Sequence, residues 1–267
     1  MKSALFALLF WSLTTFAVRA DIDISPLRHV LSEASSEATV SISNPSQRIL
    51  DGQVSWVDLK ATETGYAPAD TETRKRLSAA PYLTLSPAYF RLEPGARVEV
   101  EIKLKKGIRL PRGERRSHLL IETGASRTPL RNASNNGLQV DVGLGVSTPV
   151  ILRNGKNASA RLGDTKLLRD ENGSLILATS IASLGDISTY GRVTATFKTT
   201  GSAPDDVKAL GVRDNVAGYL EAGQRMVEIP LGYESLGQGE LTLRYEGVEE
   251  FNGRLFDERK FDIAPPG

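Results

Sequence analysis

Short runs in which apolar and polar residues alternate, separated by turn residues, constrain the fold of this chain more than any other feature. In the clearest run, every second position is apolar: Val98, Val100, Ile102 and Leu104. A β-strand turns alternate residues to opposite faces, so this period predicts strands with one buried face. Similar runs recur from Asp21 onward, and almost no stretch has a helical period. This pattern favours sandwiches of antiparallel strands.

Turn chemistry marks the ends of these predicted strands. Leu92-Glu93-Pro94-Gly95 combines a proline that presets φ with a glycine that allows the chain to reverse. Asn172-Gly173 is a hairpin signal in the second half of the chain. Two segments lack a clear strand period. Residues 62–76 are predicted to form an exposed loop, and a short helix is expected within 207–220.

The strand segments fall into two groups. About seven segments, the number that an immunoglobulin-like sandwich uses, lie before residue 150, and a second set follows the polar stretch Asn154-Gly155-Lys156-Asn157. We place a domain boundary in that stretch because it has no apolar period and lies about midway along the mature chain. The sequence therefore predicts an all-β protein with two β-sandwich domains, 21–155 and 156–267.

Residues 1–20 have the pattern of a secretory signal peptide. Lys2 supplies a positive charge, residues 4–18 form an apolar run, and Val18-Arg19-Ala20 places small residues near the expected cleavage point. The alternative is a membrane anchor, but the run is shorter than the roughly 20 residues that a bilayer requires. We expect a mature protein that begins at Asp21 and does not insert into a membrane.

Composition narrows the classes of function. The chain has 33 lysines and arginines and 32 aspartates and glutamates, and loss of Lys2 and Arg19 with the signal peptide keeps the balance close to neutral. Such scattered charge offers no basic stripe for nucleic acid or anionic lipid, so neither is predicted as a partner. The absence of cysteine excludes thiol catalysis and disulfide scaffolds. An exported hydrolase or sugar-binding module is disfavoured because acids and aromatic residues do not cluster.

Catalytic and metal-binding patterns are also missing. The two histidines, His29 and His118, lie in predicted strands without an acid or nucleophile nearby in sequence, and they are expected to be structural or surface residues. Gly145-Val146-Ser147-Thr148-Pro149 ends in proline where a nucleophile elbow requires glycine. No His pair at helical spacing and no phosphate loop occurs. We predict neither an enzyme nor a cofactor or metal site.

The longest alternation in the chain follows a segment rich in Ser, Arg and Asn, and its apolar residues share one parity: Leu138, Val140, Val142, Leu144 and Val146. An ordinary half-buried strand is one interpretation. The other is an edge strand that pairs with a second protein, since Gly143 and Gly145 on the opposite parity allow another backbone to approach closely. A long apolar edge is an aggregation hazard, so its retention suggests a use.

Arg28 is a second unusual residue. It shares the parity of Ile22, Ile24 and Val30, where an apolar residue is expected. Its charge could protect an edge strand from unwanted pairing, or its planar guanidinium could bind a carboxylate through two parallel hydrogen bonds. The sequence leaves both interpretations open.

Together these features resemble the periplasmic pilus-assembly chaperones of the chaperone–usher pathway. The residues that carry the resemblance lie in the first predicted domain, in the family's order: Ile24-Ser25-Pro26-Leu27-Arg28, Val40-Ser41-Ile42-Ser43-Asn44, Ser86-Pro87, Arg91-Leu92-Glu93-Pro94-Gly95 and the stretch from Leu110 to Leu119. The resemblance implies two immunoglobulin-like β-sandwich domains arranged as a boomerang and a location in the periplasm.

The resemblance also implies a binding site and partners. The side chains donated to a pilus or fimbrial subunit would be Leu138, Val140, Val142 and Leu144, in the mode called donor-strand complementation. Arg28 would hold the terminal carboxylate of the subunit, which would then pass to an outer-membrane usher. The alternative is a structural or accessory subunit of a secreted surface appendage. That alternative predicts a free N-terminal extension, whereas strand character begins within a few residues of Asp21.

The chain departs from the family's pattern at two positions. The family usually has a lysine late in the donor strand, where this chain has Ser147-Thr148-Pro149. A glutamate is common where this chain has Arg116. Arg153 is a candidate for the missing basic residue.

Overall fold

The computed structural model describes residues 22–124 and 144–264. Over these residues the chain forms eighteen β-strands and a single α-helix, α1 (Thr71–Leu77), with 3₁₀ turns at Ala80–Tyr82, Leu220–Ala222 and Glu249–Phe251. The predicted all-β class and the sandwich architecture are confirmed.

Sandwich 1 contains the strands that precede residue 155. They are β1 (Asp23–Ser25), β2 (His29–Leu31), β3 (Glu37–Ser43), β4 (Leu50–Val57), β5 (Leu59–Ala61), β6 (Tyr66–Pro68), β7 (Leu83–Ser86), β8 (Tyr89–Leu92), β9 (Arg97–Leu104), β10 (Gly113–Thr123) and β11 (Leu144–Asn154). One sheet has the order β1-β3-β9-β7 and the other β2-β11-β10-β4-β8, while β5 and β6 form a separate hairpin. The described strand pairs are antiparallel except β2 with β11.

Sandwich 2 contains the strands that follow. They are β12 (Ala160–Arg169), β13 (Leu175–Ser183), β14 (Thr189–Thr199), β15 (Val207–Gly218), β16 (Gln224–Pro230), β17 (Gly239–Gly247) and β18 (Leu255–Ile263). They form the sheets β12-β13-β16 and β15-β14-β17-β18. The helix expected within 207–220 is wrong, because β15 occupies that segment and pairs with β14.

Each sandwich encloses its own apolar core. On β9, Val100 and Ile102 are fully buried while Glu99 and Glu101 are exposed, as the alternation predicts. In sandwich 2, Leu177 and Ile229 from one sheet meet Tyr245 from the other. Each apolar side chain buried in this way contributes about 1.5–3 kcal/mol before conformational entropy is counted.

The predicted turns are also present. Gly95 has a φ of 76° and the Ala96 N–H donates to the Glu93 carbonyl, which closes a tight turn before β9. Gly173 has a φ of 83° in the connection between β12 and β13, which pair antiparallel. Glycine adopts positive φ without the steric penalty of a Cβ atom, so the predicted turn before β9 and the predicted hairpin between β12 and β13 are both confirmed.

The prediction of an exposed loop at 62–76 is wrong in part. β5 and β6 form a hairpin on either side of residues 62–65, and α1 follows. Asp70 caps α1 by accepting a hydrogen bond from the Thr73 N–H at 2.8 Å. The hairpin leaves sandwich 1 and contacts sandwich 2, where the Met226 N–H donates to the Glu63 carbonyl at 2.7 Å.

The chain passes from one sandwich to the other between Asn154 and Ala160, where Ala158 forms an isolated bridge with Ile187. The domain limits 21–155 and 156–267 and the boomerang arrangement stay predictions. The predicted signal peptide, 1–20, lies outside the described residues. Among the residues that the structure describes, no helix is long and apolar enough to cross a membrane.

Candidate functional site

One edge of the five-stranded sheet of sandwich 1 is open. β11 pairs with β10 along its whole described length, from Leu144 opposite Thr123 to Asn154 opposite Gly113. On its other side, β2 pairs with β11 only at residues 150–152. Within the described ranges, residues 144–149 therefore have no strand on that side. Unpaired backbone N–H and C=O groups on such an edge can accept an added strand.

Of the predicted donor residues, Leu144 is the first residue of β11 and the other three precede it in sequence. Leu144 begins the strand and its side chain is 39% exposed. Val146, two residues later, packs against the core of sandwich 1, and Val150 and Leu152 on the same parity are buried. The apolar face of β11 thus leaves the protein's own core at Leu144. Leu138, Val140 and Val142 lie outside the described residues.

Arg28 lies where the open edge ends. The first strand segment of the chain changes sheet, with β1 pairing with β3 and β2 pairing with β11. His29 is opposite Val150, so Arg28 directly precedes the point where β2 fills the edge. The Arg28 side chain points toward sandwich 2 and stacks on the Tyr190 ring, 4.1 Å from its centroid.

Arg28 binds two carboxylates of sandwich 2. Glu250 is bidentate, with 2.7 Å from Nη2 to Oε1 and 2.9 Å from Nη1 to Oε2. Glu249 adds a contact of 2.9 Å between its Oε2 and Nη1. The Arg28 side chain is only 7% exposed, and its Nε is buried without a hydrogen-bond acceptor among the described residues. Arg28 therefore binds a carboxylate in the geometry expected from sequence, but the carboxylate belongs to the same chain.

Arg153 lies in the same cluster. It donates from Nε to Glu114 at 2.8 Å and from Nη1 to the Glu250 oxygen that also receives Arg28 Nη2. It further contacts the carbonyl of Ser188 in sandwich 2. Arg153, at the end of β11, is thus a second basic residue in this cluster.

Arg116, at the position where a glutamate was expected, forms a second cluster. It is 3% exposed, pairs with Glu221 of sandwich 2 and lies 3.7 Å from the centroid of the Tyr219 ring. Its Nη2 also contacts the Leu59 carbonyl, and Glu221 accepts from the Ala61 N–H of the β5–β6 hairpin at 3.0 Å. The departure at Arg116 is therefore matched by an acid 105 residues away in sequence.

The two clusters join arginines of sandwich 1 to glutamates of sandwich 2. Burial alone would raise the pKa of Glu250, but its hydrogen bond to Arg28 and the charges of Arg28 and Arg153 outweigh that effect and lower it. Burial likewise opposes the charge on Arg28, and its bonds to Glu250 raise its pKa above the usual value. Both partners are therefore ionised at neutral pH.

The two histidines are buried and have no catalytic geometry. His118 is 2% exposed, its ring meets Tyr66 edge-on at 5.1 Å, and both ring nitrogens lack described partners. Burial, with the charge of Arg116, lowers its pKa to about 3. Burial also lowers the pKa of His29. Among the described residues, no group of acids and histidines could hold a metal ion.

Sequence reasoning missed three residues of this candidate site, Glu221, Glu249 and Glu250. Each lies in or beside a 3₁₀ turn of sandwich 2, with no local pattern that sets it apart from other surface acids. Their arginine partners are at least 97 residues away along the chain. The one available signal was the unusual pair of arginines in strand-like segments, which required acidic partners somewhere in the fold.

Solved structures of pilus chaperones resemble this chain. The YadV chaperone has a TM-score of 0.47 at 10% identity, with 91% of this chain and 100% of that chain covered. The class 5 fimbriae chaperone CfaA has a TM-score of 0.45 at 14% identity, with 92% and 100% covered. The complex of CsuC with the tip subunit CsuE, from archaic chaperone-usher pili of Acinetobacter baumannii, has a TM-score of 0.44 at 10% identity, with 92% and 99% covered.

No protein-family model matches the sequence, and no curated protein is significantly similar to it. All three structural likenesses have identities below 25% and TM-scores below 0.5. The function of this protein is therefore inferred from its own residues.

Proposed function

We propose that this protein is a periplasmic chaperone that binds pilus or fimbrial subunits by donor-strand complementation and delivers them to an outer-membrane usher. The observation that carries the proposal is the open edge of β11 at residues 144–149, which ends beside Arg28.

The edge is suited to β-augmentation. Backbone groups of 144–149 supply hydrogen bonds to any added strand, and alternate side chains supply its register. Six residues of edge span about 20 Å at roughly 3.4 Å per residue. β2 occupies the edge from Val150 onward and runs parallel to β11, so an added parallel strand would lie in line with β2 and end near Arg28.

The side chains proposed to enter the subunit are Leu138, Val140, Val142 and Leu144. Leu144 is exposed at the point where the apolar parity leaves the core of sandwich 1. Each side chain that becomes buried in a subunit groove would contribute about 1.5–3 kcal/mol before ordering costs.

Arg28 is proposed to hold the terminal carboxylate of the bound subunit. Its bidentate contact with Glu250 supports this role, because it demonstrates that the side chain and its surroundings accommodate a carboxylate. The mechanism is template binding without a covalent step.

The protein is exported to the periplasm by its own amino-terminal segment and purified together with any subunit bound to it. The test compares wild type with Leu144→Asp and Val142→Asp. A carboxylate forced into an apolar groove costs several kcal/mol, so we expect at least a hundredfold loss of the bound subunit. Leu144 is exposed, so the free energy of unfolding of Leu144→Asp should stay within about 0.5 kcal/mol of wild type.

Ser147→Asp is the matched control. Ser147 is exposed on the same edge but on the opposite parity, so an aspartate there keeps the added charge and leaves the apolar face intact. Retention of the same subunit by both Leu144→Asp and Val142→Asp would show that the proposed strand is wrong. If Ser147→Asp loses as much subunit as Leu144→Asp, the loss comes from the added charge and not from the apolar face.

A further inference from the structure

The carboxylate site at Arg28 is already occupied by this chain. Glu250 spans both terminal nitrogens of the guanidinium, and Glu249 shares one of them. With the side chain of Arg28 only 7% exposed, no external carboxylate can reach those nitrogens while both glutamates are in place. Any partner that uses Arg28 must therefore displace an acid of sandwich 2.

The acids over Arg28 are more accessible than the arginine. The side chain of Glu249 is 53% exposed and that of Glu250 is 28% exposed. Solvent can therefore receive either carboxylate if it leaves Arg28. Arg153 also holds Glu250 through a separate nitrogen, so release from Arg28 would leave Glu250 with a counter-ion.

The backbone at Glu249 is strained. Its φ of 53° lies in the left-handed region, which residues other than glycine rarely adopt. Such a conformation persists when surrounding contacts hold it, and it recurs in segments that switch. Here the contacts include the ion pair with Arg28 and the hydrogen bond from the Asn252 N–H to the Glu249 carbonyl, at the first residue of the turn Glu249–Phe251.

Arg28 also has an unused donor. Its Nε is buried and has no acceptor among the described residues, although burying such a group without a partner is unfavourable. A chain-terminal carboxylate could accept from Nε and one Nη together, the side-on geometry common in arginine–carboxylate pairs. The incoming group would satisfy a donor that the internal acids leave unpaired.

We propose that Glu249 and Glu250 act as an internal carboxylate gate that covers Arg28 in the free protein, and that a partner's chain end binds only by displacing them. This proposal rests on the proposed function for the identity of the partner, a polypeptide with a free carboxyl end. The gate would restrict Arg28 to strands that also pair with the β11 edge, because an isolated carboxylate gains too little to displace two acids.

The test uses a labelled peptide of alternating threonine and valine with a free carboxyl end, and the same peptide with that end amidated. Binding is measured by fluorescence anisotropy to wild type and to Glu249→Gln/Glu250→Gln. We expect the double variant to bind the free acid about tenfold more tightly than wild type does, with no gain for the amide. Arg28→Gln added to the double variant should abolish this preference.

Glu246→Gln is the matched control, because Glu246 pairs with Arg244 elsewhere in sandwich 2 and is similarly accessible. If the double variant does not fold, Glu250→Asp serves instead, since it keeps the charge but withdraws the carboxylate from Arg28. Absence of an acid-specific gain in the folded variant overturns the gate.

The two proposals can fail separately. If acid-specific binding appears while Leu144→Asp still retains its subunit, the gate stands and the donor-strand function is wrong. If Leu144→Asp loses its subunit while the acid and amide peptides bind the double variant equally, the function stands and the gate is wrong.

Discussion

Two buried arginine clusters join the sandwiches, and they differ in how well their acids are covered. Around Arg116, the Glu221 side chain is 11% exposed and lies under the β5–β6 hairpin. Around Arg28, Glu250 is 28% exposed and Glu249 is 53% exposed. An ion pair sealed from water on both sides cannot exchange partners, whereas a pair with an accessible acid can. We therefore expect the Arg116 cluster to fix the interface, whereas the proposed binding of a carboxylate requires the accessible acids of the Arg28 cluster.

The largest expected effect is at the sealed cluster. Glu221→Gln keeps an acceptor for the Ala61 N–H but leaves the charge of Arg116 buried and unpaired, so it should lower the free energy of unfolding by about 3 kcal/mol. Urea denaturation measures this loss. Arg116→Met combined with Glu221→Leu, which removes both charges, should recover much of it. A loss below about 1 kcal/mol for Glu221→Gln would show that the two clusters do not differ in their contribution to stability.

Acidification should weaken the sealed cluster through His118, which lies beside Arg116 and Tyr66. The pKa of His118 is about 3 in the folded protein and near 6.5 when unfolded, so only the unfolded chain takes up the proton between these values. Stability should therefore be greatest above pH 6.5 and fall as pH drops toward 3, by at most about 1.4 kcal/mol per pH unit for this group.

The matched variant is His118→Leu. Its unfolding free energy should depend less on pH across that window, with little loss at neutral pH because the ring nitrogens make no described hydrogen bonds. His29, whose pKa is also lowered, should leave a residual slope. An unchanged slope in His118→Leu would show that this histidine is not the group responsible.

The smallest expected effect is at the accessible acid. Glu249→Gln should change the free energy of unfolding by less than about 1 kcal/mol, because Glu249 is half exposed and Arg28 keeps both bonds to Glu250. Urea denaturation beside Glu221→Gln compares the clusters directly. A loss as large as that of Glu221→Gln would remove the distinction between them.

Local patterns were sufficient to predict the strands, and insufficient to predict how the sandwiches meet. The alternation from Val98 to Leu104 corresponds to β9, and Gly95 and Gly173 adopt the positive φ that their turn signals predict. The helix expected within 207–220 is wrong because β15 pairs with β14 through two irregularities, which interrupt the alternation of its apolar residues.

Only the residues that sandwich 1 contributes to the candidate site could be predicted from sequence. Arg28 stands out against its apolar neighbours in sequence, and Leu144 belongs to a clear alternation. Glu250 could not be found in this way, because its importance comes from two arginines that are distant in sequence and become adjacent only in the fold. Ion pairs between distant segments carry no periodic signal.

The β5–β6 hairpin has a mechanical consequence. Its Glu63 carbonyl accepts a hydrogen bond from the Met226 N–H of sandwich 2. This contact is distant in sequence from residues 154–160, where the chain passes between the sandwiches. The hairpin thus adds a contact between the sandwiches beyond the chain crossing and the two arginine clusters. Rotation of one sandwich against the other would have to break this hydrogen bond, so the hairpin limits how far the two can reorient.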